Sequence, residues 1–297
     1  MISHKERLAK GIVTGCASVA IFAICSITIY MILKGVPALF KVGPLELLFG
    51  TVWRPTGSNP YYGMLYIILS SLLATLCSVG IGVPIGVMSA VFLTEIANKK
   101  LASIVSPAVE LLAAIPSVIY GLLGMMVLNP VLFKLEKWIF SGSSTHQFTG
   151  GANMLAAIIV LAIMILPTVI NMSVSAIRAV PSSLKQASLA LGATKMQTIF
   201  KAILPAAKSG IVAGIVLGIG RAIGEAMAIN MVSGGSVNIP LPFNSVRFLT
   251  TQLVSEMSYS QGLHREVLFT VGLVLYIFIM IINFVLLKVK KKGELHA

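Results

Sequence analysis

The sequence predicts an all-α integral membrane protein with six transmembrane helices, and three observations lead there. Of the 297 residues, 57% are hydrophobic and only 10% charged, with a mean hydropathy of +0.96, whereas a soluble chain carries about a quarter of its residues as charges. Six apolar stretches reach the roughly 20 residues that a helix needs to cross a bilayer. The basic residues then gather in alternate loops between those stretches, the bias that orients membrane helices.

In chain order the stretches are 11–33, 63–93, 104–128, 154–176, 209–232 and 267–287. The first follows Lys5, Arg7 and Lys10 in the manner of a leader, yet it lacks a small-residue cleavage site and is read as a retained helix. Pro107, Glu110 and Pro116 interrupt the first half of the third. That gives an alternative start near Pro116, with an interfacial helix before it. Between the first two stretches lie Pro37, Phe40, Pro44, Leu47, Phe49, Trp53 and Pro55, and Trp138 follows the third. Such aromatic clusters are read as anchors at the lipid headgroup level.

One set of loops holds Lys5, Arg7 and Lys10, then Lys99 and Lys100, then Arg178, Lys185, Lys195, Lys201 and Lys208, then Lys288, Lys290, Lys291 and Lys292, fourteen bases in all. The other set holds seven, at Lys34, Lys41, Arg54, Lys134, Lys137, Arg247 and Arg265. Both termini are therefore expected in the cytoplasm. The net charge of +13 is read the same way, as topology rather than as a surface for nucleic acid.

Several chemistries are excluded by composition. All nine acidic residues are glutamates, which removes aspartyl dyads and Ser-His-Asp triads. Cys16, Cys25 and Cys77 lie in apolar runs without CxxC spacing and are read as small core residues. His4, His146, His264 and His296 are too dispersed to suggest a metal site. No Gly-x-x-x-x-Gly-Lys-Ser/Thr loop occurs, so an ATP-driven activity would need another chain. No cofactor and no catalytic residue is expected.

Two features carry the functional reading. The stretch 177–208 is basic and only moderately apolar but keeps a helical pattern. Ser182 is placed to cap a short helix after Pro181, with Leu184, Ala187 and Leu191 on one face, and Gly192 to stop it. A second helix is expected from Thr194 to Leu204, ended by Pro205. The result is a protruding knob. In the fifth stretch, Arg221 and Glu225 are the charged residues at lipid depth, where each costs about 2.5–3.5 kcal/mol on insertion scales. At a spacing of four they would share a helix face, but Arg before Glu is the weaker order, worth roughly 0.2–0.5 kcal/mol. Helix stability does not account for them. A guanidinium grips two oxygens of an oxyanion and keeps its proton, so Arg221 is read as part of an anion path, with Glu225 balancing its charge. A purely structural ion pair is the competing reading. Glu110 is read as structural, beside Lys99 and Lys100. Gly80, Gly82, Pro84 and Gly86, with Gly214, Gly218, Gly220 and Gly224, serve either close helix packing or hinge motion.

The spacing of Gln186, Ala187 and Ser188, then Gly192, then Leu204 and Pro205 resembles the EAA loop of ABC importer permeases. It departs from that pattern at Gln186, Ser188 and Ala202. With Glu110-Leu-Leu-Ala-Ala-Ile-Pro-Ser-Val-Ile-Tyr-Gly121, the Met164-Ile-Leu-Pro167 turn and Gly220-Arg-Ala-Ile-Gly-Glu-Ala-Met-Ala228, the chain looks like a PstC-type permease of phosphate ABC importers over about residues 45–285. The resemblance implies the type I ABC importer permease fold, residues 69–284 as its transmembrane domain, 1–68 as a preceding helix and outer loop, and 285–297 as a basic tail. It implies docking of an ATPase on residues 182–205, through Gln186, Ala187, Gly192, Leu204 and Pro205. It further implies a PstA-type second permease, a PstB-type ATPase dimer and a PstS-type extracytoplasmic phosphate-binding protein. Import of another oxyanion such as molybdate, sulfate or phosphonate stays open from the residues, as does a non-transporting scaffold.

Overall fold

The chain begins with α1 (His4–Val42) and α2 (Pro44–Phe49), followed by a hairpin of two short strands, β1 (Trp53–Arg54) and β2 (Tyr61–Tyr62), paired antiparallel with Trp53 opposite Tyr62. Next come α3 (Leu65–Val91), which runs into a π-helical turn at Phe92–Ile96, and α4 (Lys99–Ala114). After a break, α5 (Ser117–Leu123) continues through a π-helical turn at Gly124–Leu128 into α6 (Asn129–Ile139). The central helix is α7 (Met154–Arg178). Beyond it lie α8 (Ser182–Ala190), α9 (Lys195–Thr198), a third π-helical turn at Ile199–Ile203, and α10 (Leu204–Gly224). The chain closes with α11 (Met227–Val232), α12 (Leu249–Glu256) and α13 (Gly262–Glu294). This computed structural model describes residues 4–294, with side chains from 10 to 284 and at 288. The side chains of His4, Lys5, Arg7, Lys290, Lys291, Lys292 and His296, used above, lie outside the described residues.

Among the described residues six helical runs are long and apolar enough to cross a membrane: Lys10–Val42, Leu65–Ile96, Ser117–Ile139, Met154–Arg178, Lys195–Gly224 and Gly262–Phe284. The second and fourth fall where the sequence puts them. The first extends through Pro37, which the sequence reading places in a loop; a proline late in a helix removes one donor without ending it. The third span takes the alternative start. Pro116 holds Ile115 extended, at ψ 128, so α4 ends there and the span runs on to Ile139, drawing Lys134, Lys137 and Trp138 out of the predicted loop and into the helix.

The core forms around α7, which packs against α3 on one side and α10 on the other. Small residues make this approach close. A Cβ on Gly82 would lie 2.8 Å from Ile165 Cδ1, one on Gly86 2.8 Å from Val169 Cγ1, and one on Gly214 2.6 Å from Met172 Cβ. In lipid, where tails are as apolar as side chains, such packing rather than hydrophobic burial holds helices together. Gly80, Gly220 and Gly224 have open space at the Cβ position, so the packing role belongs to only part of the glycine set. Pro167, expected in a turn, is buried within α7. The cysteines, expected in the core, are exposed on helix surfaces. Trp53, expected as a lipid anchor, instead packs edge-on against Tyr62 and donates from Nε1 to Glu256 at 3.1 Å.

Candidate substrate path and coupling surface

The fifth span does not stay helical through Glu225. Helix α10 ends at Gly224, and Glu225 adopts φ −72, ψ 128. This corrects the shared helix face expected for Arg221 and Glu225. The break is stabilised locally: Glu225 Oε1 accepts the Ala228 N–H at 2.9 Å at the start of α11, and the Glu225 carbonyl accepts the Thr250 hydroxyl of α12 at 2.7 Å. Glu225 is 8% exposed, and its buried carboxylate thus meets a donor that the broken helix frees.

Arg221, on the last turn of α10, makes a long contact from Nη1 to Thr168 Oγ1 of α7 at 3.4 Å. Among the described residues no carboxylate lies within 4.0 Å of it, so the structural ion pair with Glu225 is not formed. The third span breaks in the neighbouring element. Tyr120 donates its phenol to the Leu112 carbonyl at 2.7 Å across the Pro116 break. Helices α5 and α11, one beyond each break, pack on each other, close enough that a Cβ on Gly121 would lie 2.7 Å from Ala228 Cα. Two interrupted helices thus pack on each other, and discontinuous helices of this kind are where membrane transport proteins place solute sites.

The knob forms, with two changes. Ser182 is the first residue of α8 and makes no capping bond; Pro181 takes the cap position. Pro205 does not end a helix, because the π-helical turn at Ile199–Ile203 widens the backbone just before it and α10 continues from there. Gly192 adopts φ +83, and Thr194 begins α9 with a capping box to Gln197. Ser188 Oγ lies 2.9 Å from Thr198 Oγ1, fastening α8 to α9. Gln186 and Ala187 are exposed, Leu191 is 89% exposed, and Leu184 and Met196 are exposed beside them. Leu204 is half-buried and Pro205 exposed at the root of the knob. Lys185 Nζ reaches Glu95 Oε2 at 2.5 Å, tying α8 to the π-helical turn that ends the second span. No sequence signal joins those two residues, which stand 90 positions apart.

At the other end of α7, which at 25 residues spans about 37 Å, two buried glutamates organise the loops. Glu256 accepts from Arg247 Nη1 at 2.6 Å and lies 2.8 Å from His264 Nε2, and Trp53 is its third partner. Glu136 lies 2.8 Å from His146 Nε2 and accepts from the Thr149 N–H and hydroxyl at 2.9 and 3.0 Å. Both histidines, too dispersed for a metal site, instead pair with glutamates 10 and 8 residues away. Beside them, burial and then the Glu256 charge push the Tyr259 phenol above its usual range, with Arg247 opposing. A cavity of about 610 Å³ opens at this end, lined by His146, Thr149, Asn238, Asn244 and Ser245 among others.

The model of the binding-protein-dependent transport system inner membrane component family matches residues 82–291 of the chain. A probable ABC transporter permease protein, YqgH, of Bacillus subtilis is 39% identical over 288 residues, covering 94% of this chain and 90% of that protein. The phosphate transport system permease protein PstC of Pasteurella multocida is 30% identical, covering 85% and 83% respectively. Among solved structures, a bacterial ABC transporter that imports the acidic polysaccharide alginate has a chain that superposes with a TM-score of 0.59 at 17% identity, over 97% of this chain and 99% of that one. The inward-facing MetNI methionine ABC transporter superposes at 0.55 and 24% identity, over 78% and 94%. These likenesses give the fold, that of type I ABC importer permeases.

Proposed function

The chain belongs to the family of binding-protein-dependent transport system inner membrane components, and from that premise we propose that its cargo is inorganic phosphate. The coarser function is established: it is a multi-pass cell-membrane protein, the permease subunit of an ABC importer, and ATP hydrolysis resides on a separate subunit. Such permeases work with an ATPase and a substrate-binding protein.

The observation that supports phosphate is Arg221. A guanidinium at lipid depth with Thr168 as its contact and no carboxylate within 4.0 Å among the described residues keeps its fork of donors free for an oxyanion. Glu225, held at the helix break, accepts a hydrogen bond at Oε1 alone among the described residues. Its second oxygen is available to accept a hydrogen bond from the P–O–H group of hydrogen phosphate. Fully ionised sulfate offers no such proton. Phosphate permeases of the PstC kind among the relatives agree with this reading.

In this proposal residues 69–284 form the transmembrane domain, both termini are cytoplasmic, and the knob at 182–205 docks on a PstB-type ATPase dimer through Gln186, Ala187 and the Gly192 corner. A PstA-type permease completes the pathway, and a PstS-type binding protein delivers phosphate to the end that carries the Glu136 and Glu256 networks. ATP binding draws the docked knobs together and opens the path outward; hydrolysis returns it. The experiment is uptake of labelled phosphate by proteoliposomes holding the co-purified subunits and binding protein, with sulfate, molybdate and a phosphonate as competitors. Competition by phosphate alone is the expected result. Transport of molybdate or sulfate in preference to phosphate would overturn the assignment.

A further inference from the structure

A second polar site lies at the root of the knob, away from Arg221. Where α4 crosses the end of α7, a cavity of about 150 Å³ is lined by Ser106 and Glu110 of α4, by Asn171, Ser175 and Arg178 of α7, and by apolar side chains including Leu93. Ser106 Oγ is buried there with no hydrogen-bond partner, an expensive condition for a hydroxyl. Glu110 and Arg178 line the same cavity at its exposed rim and, among the described residues, have no salt-bridge partner there. Ser175 donates its hydroxyl to the Asn171 backbone carbonyl at 2.9 Å, and among the described residues the Asn171 side-chain amide makes no hydrogen bond.

A guanidinium, an amide and a serine hydroxyl point to an anion, and one carboxylate at the same rim selects among anions. The volume equals about five water molecules' share of the liquid, well below the roughly 300 Å³ at which organic-ligand pockets begin. A small tetrahedral oxyanion fits that space. The carboxylate repels a fully ionised one and accepts a hydrogen bond from the P–O–H group of hydrogen phosphate. Lys185, three residues into α8 from Ser182, is tethered to Glu95 two residues from Leu93, so the cavity sits between the membrane core and the knob.

We propose that Arg178, Asn171, Ser106 and Glu110 form a binding site for hydrogen phosphate on the coupling-loop side, distinct from the Arg221 site, which holds the cargo as it leaves. The assignment of the ligand rests on the phosphate reading above. In this site Arg178 supplies the bidentate grip, Ser106 receives its missing partner, and Glu110 supplies discrimination against sulfate.

The test reads the site itself. In the assembled complex, with Cys16, Cys25 and Cys77 replaced by alanine, Ser175→Cys places a thiol on the cavity wall, and its alkylation rate is measured with and without inorganic phosphate or sulfate. Phosphate is expected to slow alkylation and sulfate to leave it unchanged. Adding Arg178→Gln should raise the phosphate concentration for half protection about tenfold or more, the loss expected when a bidentate charged pair is removed. Arg178→Lys should fall between, and its unprotected alkylation rate, equal to the parent's, shows that the fold is kept. Glu110→Gln should let sulfate protect as well. Phosphate uptake by the parent complex with no protection at position 175, or undiminished protection in Arg178→Gln, overturns this site alone. Absence of phosphate uptake by the parent removes the phosphate reading, and this site's ligand with it.

Discussion

Gly192 gives the sharpest test of the coupling knob. Its φ of +83 lies in the left-handed region, while a Cβ added there meets nothing within 4 Å. A side chain at this corner therefore costs conformational energy and no steric clash, about 1–2 kcal/mol for an ordinary residue and more for a β-branched one. A cost of that size shifts a local equilibrium about five- to thirty-fold. It falls on the link between α8 and α9, where the Ser188 to Thr198 contact depends on the turn, and it leaves the α3, α7 and α10 packing untouched. Gly192→Ala should lower coupled uptake severalfold, and Gly192→Val should abolish it, with both proteins at parental level in the membrane and ATP hydrolysis persisting. Gly80→Ala is the control, since Gly80 also has open space but sits within a helix; it should transport normally. The assay is uptake per ATP hydrolysed in proteoliposomes. Normal uptake by Gly192→Val at matched protein level would show that the corner at 192 does not couple the knob to transport.

Other outcomes follow from the same geometry. Glu95→Lys and Lys185→Glu should each reduce coupled uptake by at most about fivefold, the scale of a partly exposed pair, and the charge-swapped double should recover it; a double no better than the singles would show that the pair does not link knob and membrane core. Gly86→Leu drives a side chain against Val169, whose Cγ1 lies 2.8 Å from the ideal Cβ position, and should cut accumulation and thermal stability of the complex, whereas Gly80→Leu should not; equal stability of the two would contradict the close-packing role. Cysteines placed at Ser143 and Ser236 should react with an impermeant reagent in intact cells, and one at Ser183 only after the inner face is exposed. External reaction at position 183 would reverse the proposed orientation.

The six spans were legible because apolar runs in lipid need no long-range information: composition and length suffice, as at 63–93 and 154–176. The knob was legible from Gly192, whose need for positive φ is a local property. The two helix breaks were harder. Pro116 announces its own break, but Glu225 ends α10 by accepting the Ala228 N–H and by offering its carbonyl to Thr250, 25 residues on, and helical periodicity carries no trace of either. The same limit hid the Glu95 to Lys185 tether and the Trp53 to Glu256 bond, whose partners stand 90 and 203 positions apart, whereas the hairpin at Trp53 and the His146 and His264 contacts join residues 8–10 apart whose spacing matches no regular helical or strand period. Pro205 misled for the opposite reason. A rule about helix interiors was applied to a place where a π-helical turn removes the clash.

In the proposed path Arg221 meets the transported anion rather than neutralising Glu225. Glu225→Gln retains an oxygen able to accept the Ala228 N–H, so the helix break survives while the charge is lost. The direct measurement is phosphate uptake by Arg221→Gln, Glu225→Gln and the double substitution at matched membrane levels, with Arg221→Lys alongside. With no ion pair to relieve, the double should stay as inactive as Arg221→Gln, and Arg221→Lys should be poor because an ammonium keeps the charge but loses the fork. Near-parental uptake by the double would show that the two charges only compensate each other and that Arg221 does not grip the anion.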